Sequence, residues 1–332
     1  MKLSQIRQDR VTRQWVIYAP TRSKRPRPSQ GPTTNKIQQP AWDKNCRFCP
    51  GNEHLIPSII GEKKKGSTSW QVRVVPNKFP IVTPAGKQEK CERGVYCVTQ
   101  GYGYHEVIIE TPIHNRHPGL MSSKEVGPII DTYHDRYVKL MKEDEIKTVF
   151  VFRNHGLQAG TSLIHPHSQV IAMGMIPDRV LMREQHLRQY YYETGRCGYC
   201  EMLESELRNK RRLVGENQSH VAWVPFAAEA ECEIWVMPKK HQADFANISN
   251  QEKKHLASLL HDILVKFVRK LRDPDYNYVI NSCAKHKSEE PYLHWYLRIK
   301  PQLTKPAGFE IGSGISVNPS FPEKDAKLLR KD

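Results

Sequence analysis

The sequence predicts an α+β fold of two similar units, each a mainly antiparallel sheet with one long crossover helix, and three observations carry that prediction. Two Cys-x-x-Cys pairs, Cys46/Cys49 and Cys197/Cys200, open two stretches of comparable pattern. Histidines follow each pair in matching order: His241 lies 127 residues after His114, and His294 lies 129 after His165. Two long segments with apolar residues at three- and four-residue spacing occupy equivalent places between them.

In the first unit "EVIIETPIH" reads as a strand ending at His114. The helical segment "SKEVGPIIDTYHDRYVKLMKED" follows, with Ser122 or Ser123 at its N-cap and Val126, Ile129, Ile130, Tyr133, Tyr137, Leu140 and Met141 on one face. The strand "TVFVFRNHG" then leads through a small-residue loop to "HPHSQVIA", read as a strand from Ser168 to Ala172. In the second unit "CEIWVMPKKH" ends at His241, and the helix "SNQEKKHLASLLHDILVKFVRKLRD" follows, capped by Ser249. The segments "YNYVINSCA" and "YLHWYLRIKP" complete the copy, the latter carrying His294. Asn281 stands 127 residues after Asn154, so the two units correspond in register. The boundary falls near residue 180, giving units over 1–180 and 181–332. "RPRPSQGPTTNKIQQP" reads as a loop and "GEKKKGSTS" as an exposed turn.

The 332 residues suffice for two ordinary domains. The chain contains no apolar run of signal-peptide or membrane-span length, so a soluble, cytoplasmic protein with no membrane partner is expected. The formal charge of +16 invites a nucleic-acid reading, but the basic residues are scattered. Basic surface and a site for small anionic ligands fit better, with no nucleic acid as main partner. The eight cysteines in such a setting point to metal before disulfides. Cys91, Cys97, Cys232 and Cys283 are read as small apolar fillers.

Each unit offers a complete tetrahedral zinc set: Cys46, Cys49, His114 and His165 in the first, Cys197, Cys200, His241 and His294 in the second. Four protein ligands leave no open coordination position, so about two structural zinc ions per chain are expected. The bland alternative is unmetallated core cysteines with incidental histidines. His167 is left over, because Tyr296 stands at its place in the second unit. Side chains at i and i+2 of a strand share a face, so His167 should lie beside His165. It is a candidate nucleophile, the alternative being a supporting or surface histidine.

The motifs "NHGLQAGTS" and "HPHSQ", with "CRFCPGNE", "RVVPNKFP" and the tail "GFEIGSGISVNPSFPE", resemble those of the galactose-1-phosphate uridylyltransferase family of the histidine-triad superfamily, across nearly the whole chain. The resemblance is closest to the branch that contains the plant ADP-glucose phosphorylase. It implies tandem histidine-triad domains, a homodimer, and ping-pong transfer of a nucleoside monophosphate between a nucleoside diphosphate hexose and a hexose 1-phosphate or phosphate. It also implies the same zinc ligands, His167 as nucleophile and Gln169 as its catalytic partner. Asn77, Asn154, Gly160, Thr161 and Ser162 match positions that hold ribose and phosphates. Arg22 and Arg25 match N-terminal basic contacts. Phe309, Glu310, Gly312, Ser313 and Gly314 match the tail that reaches the hexose phosphate. Ser168 stands where many uridylyltransferases carry glycine or cysteine, and the tail reads "FEIGSG"; both leave base and sugar open. Uridylyl transfer to galactose 1-phosphate is the family's default reaction, and ADP-glucose phosphorolysis is the runner-up. A non-catalytic zinc-stabilised nucleotide- or nucleic-acid-binding module is the alternative of another class.

Overall fold

The computed structural model describes residues 3–24, 39–66, 69–85 and 90–330. In chain order its strands are β1 (Gln5–Gln8), β2 (Trp15–Tyr18), β3 (Gly61–Lys65), β4 (Ser69–Pro76), β5 (Lys90–Arg93), β6 (Tyr96–Thr99), β7 (Gly103–Ile109), β8 (Thr148–His155) and β9 (His167–Met173). The second half adds β10 (Leu213–Glu216), β11 (His220–Trp223), β12 (Ile234–Pro238), β13 (Tyr276–Asn281), β14 (Tyr296–Pro301) and β15 (Ser316–Asn318). The helices are α1 (Ser123–Met141), α2 (Asp178–Thr194), α3 (Gly198–Asn209), α4 (Asn250–Leu271), α5 (Gly308–Ser313) and α6 (Pro322–Arg330).

Ten strands form one sheet in the order β10-β11-β12-β14-β13-β8-β9-β7-β4-β3. Read outward from its centre, the order is the same motif twice: β8-β9-β7-β4-β3 on one side and β13-β14-β12-β11-β10 on the other. The two halves are thus not separate sheets. They fuse where β8 and β13 pair antiparallel, with Asn277 opposite Asn154 and Tyr278 opposite Arg153. Each half would otherwise expose a strand edge, and pairing the two edges satisfies their backbone groups.

Period-two alternation sorts the side chains onto two faces. One face, with Val151, Val170, Ile234, Val236 and Leu297, lies under α1 and α4 in one core. Both helices start on the serine that the sequence marks. Ser249 Oγ accepts the Glu252 N–H at 3.2 Å while Glu252 accepts the Ser249 N–H at 2.8 Å, a capping box; Ser122 is the N-cap of α1. The other face carries the two cysteine segments, the first packed with Trp70, Val75, Val107 and Ile109, the second with Trp223, Trp235 and Tyr296.

Two expectations need correction. Gly61–Lys65 is an edge strand, β3, rather than part of a turn; its three lysines read as a surface turn but are also the charges that protect a sheet edge. Cys91 and Cys97 are exposed in the β5–β6 hairpin, so only Cys232 and Cys283 are buried fillers. The helices α2 and α3 were not anticipated, because α2 buries only Val180, Glu184 and Leu187 and carries little apolar periodicity. The 25–40 loop lies outside the described residues except for 39 and 40. The N-terminal strands β1 and β2 pair with β15 near the C-terminus, and Tyr18 donates to the Ala228 carbonyl at 3.0 Å.

Candidate active site

The first cysteine pair sits in a turn whose carbonyls are gathered by one side chain: Asn52 Nδ2 donates to Cys46 O at 2.8 Å and to Asp43 O and Lys44 O at 3.2 Å. That turn faces the segment after β7, which supplies His114, and the approach to β9, which supplies His165. Cys46 Sγ and Cys49 Sγ each lie 3.6 Å from His165 Nδ1, and Cys49 Sγ lies 3.5 Å from His114 Nδ1. A tetrahedral zinc with Zn–S of about 2.3 Å and Zn–N of about 2.0–2.1 Å would set its ligand atoms about 3.3–3.8 Å apart, so the group fits. The surroundings agree. His165 Nε2–H donates to Thr111 O at 2.7 Å, which leaves Nδ1 bare for a metal. The Asp43 N–H points at Cys49 Sγ at 3.3 Å. Burial pushes the Cys46 thiol up to about 11, so a thiolate there calls for a cation to offset its charge.

The second group repeats this at the start of α3. Cys200 Sγ lies 3.3 Å from His241 Nδ1 and 3.6 Å from His294 Nδ1, and the ligand atoms of Cys197, Cys200, His241 and His294 all lie within 4.8 Å of one another. This set also fits zinc, though Cys200 is half-buried and His241 exposed.

His167 begins β9 and is 8% exposed. Its Nδ1–H donates to the His165 carbonyl at 2.9 Å, which fixes the tautomer and leaves the Nε2 lone pair free. Burial lowers its pKa, against the opposing pull of that carbonyl hydrogen bond, so the ring is neutral at pH 7. Phe48 from the cysteine turn packs on both rings, with centroids 5.9 Å from His165 and 5.5 Å from His167. The Cys/His group therefore carries the carbonyl and the aromatic wall that hold His167.

Gln169 is next on this face. The Ile81 N–H donates to His105 Nδ1 at 3.2 Å, so the proton sits on Nε2, which donates to Gln169 Oε1 at 2.7 Å. With its oxygen so engaged, the Gln169 amide nitrogen remains to act as a donor. Asn77 Nδ2 stands 3.0 Å from His105 Nε2 and 3.5 Å from Gln169 Oε1, which brings Asn77 into the same cluster. His105 escaped the sequence reading; its place two residues before Val107 and four before Ile109 on β7 was the available signal.

Asn154, near the end of β8, accepts from Asn277 at 2.8 Å. The loop after it turns at Gly156, φ 87°, and Gly160, φ 85°, both in the left-handed region that favours glycine. Thr161 Oγ1 donates to Leu163 O at 3.0 Å, and Gly160 and Ser162 are exposed. Arg22 is exposed in a 3-10 turn, Pro20–Lys24, and Arg25 lies outside the described residues. The tail residues form α5 and bond locally, Ser313 Oγ to Phe309 O at 2.7 Å and the Ala307 N–H to Glu310 Oε2 at 3.1 Å; Gly312 precedes Ser313 in that helix and Gly314 caps it. No described hydrogen bond joins Arg22 or this tail to the His167 group.

Beneath His167, on the helix-covered face, Ser168 Oγ donates to Glu110, which also accepts from Tyr133 at 3.0 Å and pairs with Arg153 Nε at 3.0 Å. Ser168 thus helps satisfy a buried ion pair, and removing one partner of such a pair is costly.

The equivalent face of the second half is filled by protein. Tyr296, at the place of His167, stacks on Trp235 at 4.4 Å. Arg183 from α2 donates to Asn281, the counterpart of Asn154, at 2.8 Å. Arg298, two residues after Tyr296 as Gln169 is after His167, is taken up by Glu233 at 2.8 Å and Glu229 at 2.7 Å. At the place of His167 the second half thus carries a tyrosine packed against tryptophan, and the polar side chains beside it are paired within the protein.

Residues 1–177 match the family model described as galactose-1-phosphate uridyl transferase, N-terminal domain. The chain belongs to that family. It is 34% identical to the ADP-glucose phosphorylase of Arabidopsis thaliana, covering 98% of this chain and 92% of that protein. It is 28% identical to the galactose-1-phosphate uridylyltransferase of Thermotoga maritima, over 99% and 98% of the two chains. Among solved structures, the Arabidopsis ADP-glucose phosphorylase with bound ADP-glucose superposes with a TM-score of 0.84 at 32% identity over 99% of both chains. A uridylyltransferase structure gives 0.76 at 26% identity, over 98% of this chain and 97% of that one. The protein is a nucleotidyltransferase of this family, and the non-catalytic binding module is set aside. No helix among the described residues is long and apolar enough to cross a membrane.

Proposed function

We propose that this chain moves a nucleoside monophosphate between a nucleoside diphosphate hexose and a second phosphate-bearing acceptor, through a covalent adduct on His167. The observation that carries the reading is the Nδ1–H bond from His167 to the His165 carbonyl, which presents Nε2 as a neutral nucleophile able to approach anionic oxygens. In the first step the Nε2 lone pair forms a P–N bond to the α-phosphorus while the P–O bond to the hexose 1-phosphate breaks. In the second an acceptor phosphate oxygen forms the new P–O bond, the P–N bond breaks, and the lone pair returns to the ring. The amide N–H of Gln169 and the Gly160–Ser162 loop meet charge on the transferring phosphoryl group, and Asn77 and Asn154 hold the nucleotide.

Zinc in the two Cys/His groups is structural in this reading, about two ions per chain, and a reducing cytoplasmic setting suits its thiolate ligands. Metal analysis should find about two zinc ions. The Cys197→Ser/Cys200→Ser variant should keep about one and still form the His167 adduct; no zinc in the wild type would remove the metal reading.

Arg22, Arg25 and the exposed α5 residues, which bond only locally where described, reach the site of a second copy in a homodimer. Uridylyl exchange between UDP-glucose and galactose 1-phosphate is the default reaction. Adenylyl transfer from ADP-glucose to phosphate is a second reading, supported by the 34% identity and the 0.84 TM-score to the Arabidopsis enzyme. Offering UDP-glucose and ADP-glucose, each with galactose 1-phosphate or inorganic phosphate, separates them. Exchange with the first pair supports uridylyl transfer, release of glucose 1-phosphate from ADP-glucose by phosphate supports the second reading, and no turnover of any donor would sink both.

A further inference from the structure

The loop that follows Asn154 belongs to the first half, yet the groups that hold it come from the second. The sequence "DPDYN" places Asp273, Asp275 and Asn277 at alternate positions leading into β13, and each meets a different part of residues 154–161.

Asn277 makes the most specific contact. Gln302 Nε2 donates to Asn277 Oδ1 at 2.6 Å, which orients the amide so that Nδ2 points at the loop. Both its hydrogens are used there, one to Asn154 Oδ1 and one to Ala159 O, each at 2.8 Å. Asp275 Oδ2 accepts the Gln158 N–H at 2.6 Å. The carboxylate lies so close that a Cβ on Gly156 would come within 2.1 Å of Asp275 Cγ. Asp273 accepts from His155 Nε2 at 3.0 Å, and its other oxygen lies 3.5 Å from His117 Nε2. Arg272 and Asp273 hold successive positive φ angles of 59° and 53°, a strained backbone that persists only where its contacts fix it.

His117, His155 and Asp273 have a spacing that a metal ion could use. The Gly119 N–H donates to His117 Nδ1 at 3.3 Å, however, and this leaves the proton on the Nε2 that faces Asp273. The group is therefore a polar clamp, in which His155 hydrogen-bonds Asp273 and His117 turns an N–H toward it, with His117 only three residues from the candidate metal ligand His114.

We propose that Asp273, Asp275 and Asn277 are positioning residues by which the second half sets the 154–161 segment for the reaction at His167. This rests on the nucleotidyl-transfer reading. It gives the second half, which has Tyr296 at the place of His167, a function in the first half's chemistry.

The test compares variants in the full chain by hydrogen exchange of the peptide covering residues 154–161 and by donor kinetics. Asn277→Asp keeps the shape but loses both donors and sets an acidic group against two carbonyl-type oxygens. Asp275→Ala removes the acceptor, whereas Asp275→Asn keeps one. For Asn277→Asp and Asp275→Ala, exchange in this peptide should rise about tenfold and kcat/KM for the donor should fall about tenfold to a hundredfold. Zinc content and exchange in α1 and α4 should stay at wild-type values. Asp275→Asn should lie within about threefold of wild type in both readouts. Unchanged loop exchange in Asn277→Asp and Asp275→Ala, or raised exchange with wild-type kinetics, would overturn the assignment. If the wild type transfers no nucleotide from any donor, the functional reading falls by itself, and the exchange measurement alone decides whether the second half holds the loop.

Discussion

Replacing His167 by Asn should lower transfer by on the order of 10⁴-fold or more, the scale seen when a covalent nucleophile is removed from a site that otherwise stays intact. The expectation depends on position as well as chemistry. His167 does not belong to the Cys/His group; it touches that group through the His165 carbonyl at 2.9 Å and through the shared wall of Phe48. Asn can still donate to the carbonyl, so zinc content and the thermal transition should stay near wild type. His165→Asn should behave differently and lose metal together with activity, because His165 Nδ1 lies 3.6 Å from both cysteine sulfurs. Metal content, melting and initial rates on the two variants check this. A His167→Asn protein turning over at the wild-type rate would return His167 to a supporting role.

Cys46→Ser with Cys49→Ser should disable the first half altogether. Structural zinc sites supply roughly 10–16 kcal/mol in small domains, as much as the whole stability of a typical domain at about 5–15 kcal/mol. The cysteine turn is irregular backbone whose carbonyls are gathered by Asn52 and whose apolar contacts include Phe48, Trp70, Val75 and the β7 residues Val107 and Ile109, so a central metal would be a large part of what orders it. Loss of zinc should release Phe48 and the His165 carbonyl together, so transfer and the first zinc should disappear in parallel. Thermal melting, metal analysis and rates on this variant, beside the Cys197→Ser/Cys200→Ser variant that should remain active, give the comparison. A folded, fully active Cys46→Ser/Cys49→Ser protein would contradict the structural role of the first group.

The repeat was legible because it is written in residue types with few substitutes. Cysteine pairs, histidines at an offset of 127 to 129 and two striped helices recur in order, and the same order appears in the two halves of the sheet. His165 and His167 could be placed beside each other from strand period alone. What the sequence did not carry is long-range pairing. Nothing local says that β8 and β13 should join, so the contact of Asn277 with Asn154 and the role of "DPDYN" were invisible before the register was known. His105 was missed for the same reason, since its partner Gln169 comes from a neighbouring strand. The lysines of β3 misled because charge on a sheet edge and charge in a turn look alike in one dimension. The tail and Arg22 were placed by resemblance, and within one chain they stand apart from the His167 hydrogen bonds.

The central claim is that His167 Nε2 carries the nucleotidyl group between two half-reactions, and the most direct test omits the acceptor. The wild-type protein is mixed with donor labelled in its α-phosphate, quenched in base, digested and mapped. Label on the peptide containing "LIHPHSQV", with release of up to one equivalent of hexose 1-phosphate per active site and no label in His167→Asn, is the predicted result. Turnover that requires acceptor for any hexose 1-phosphate release, with no label on that peptide, would contradict the account.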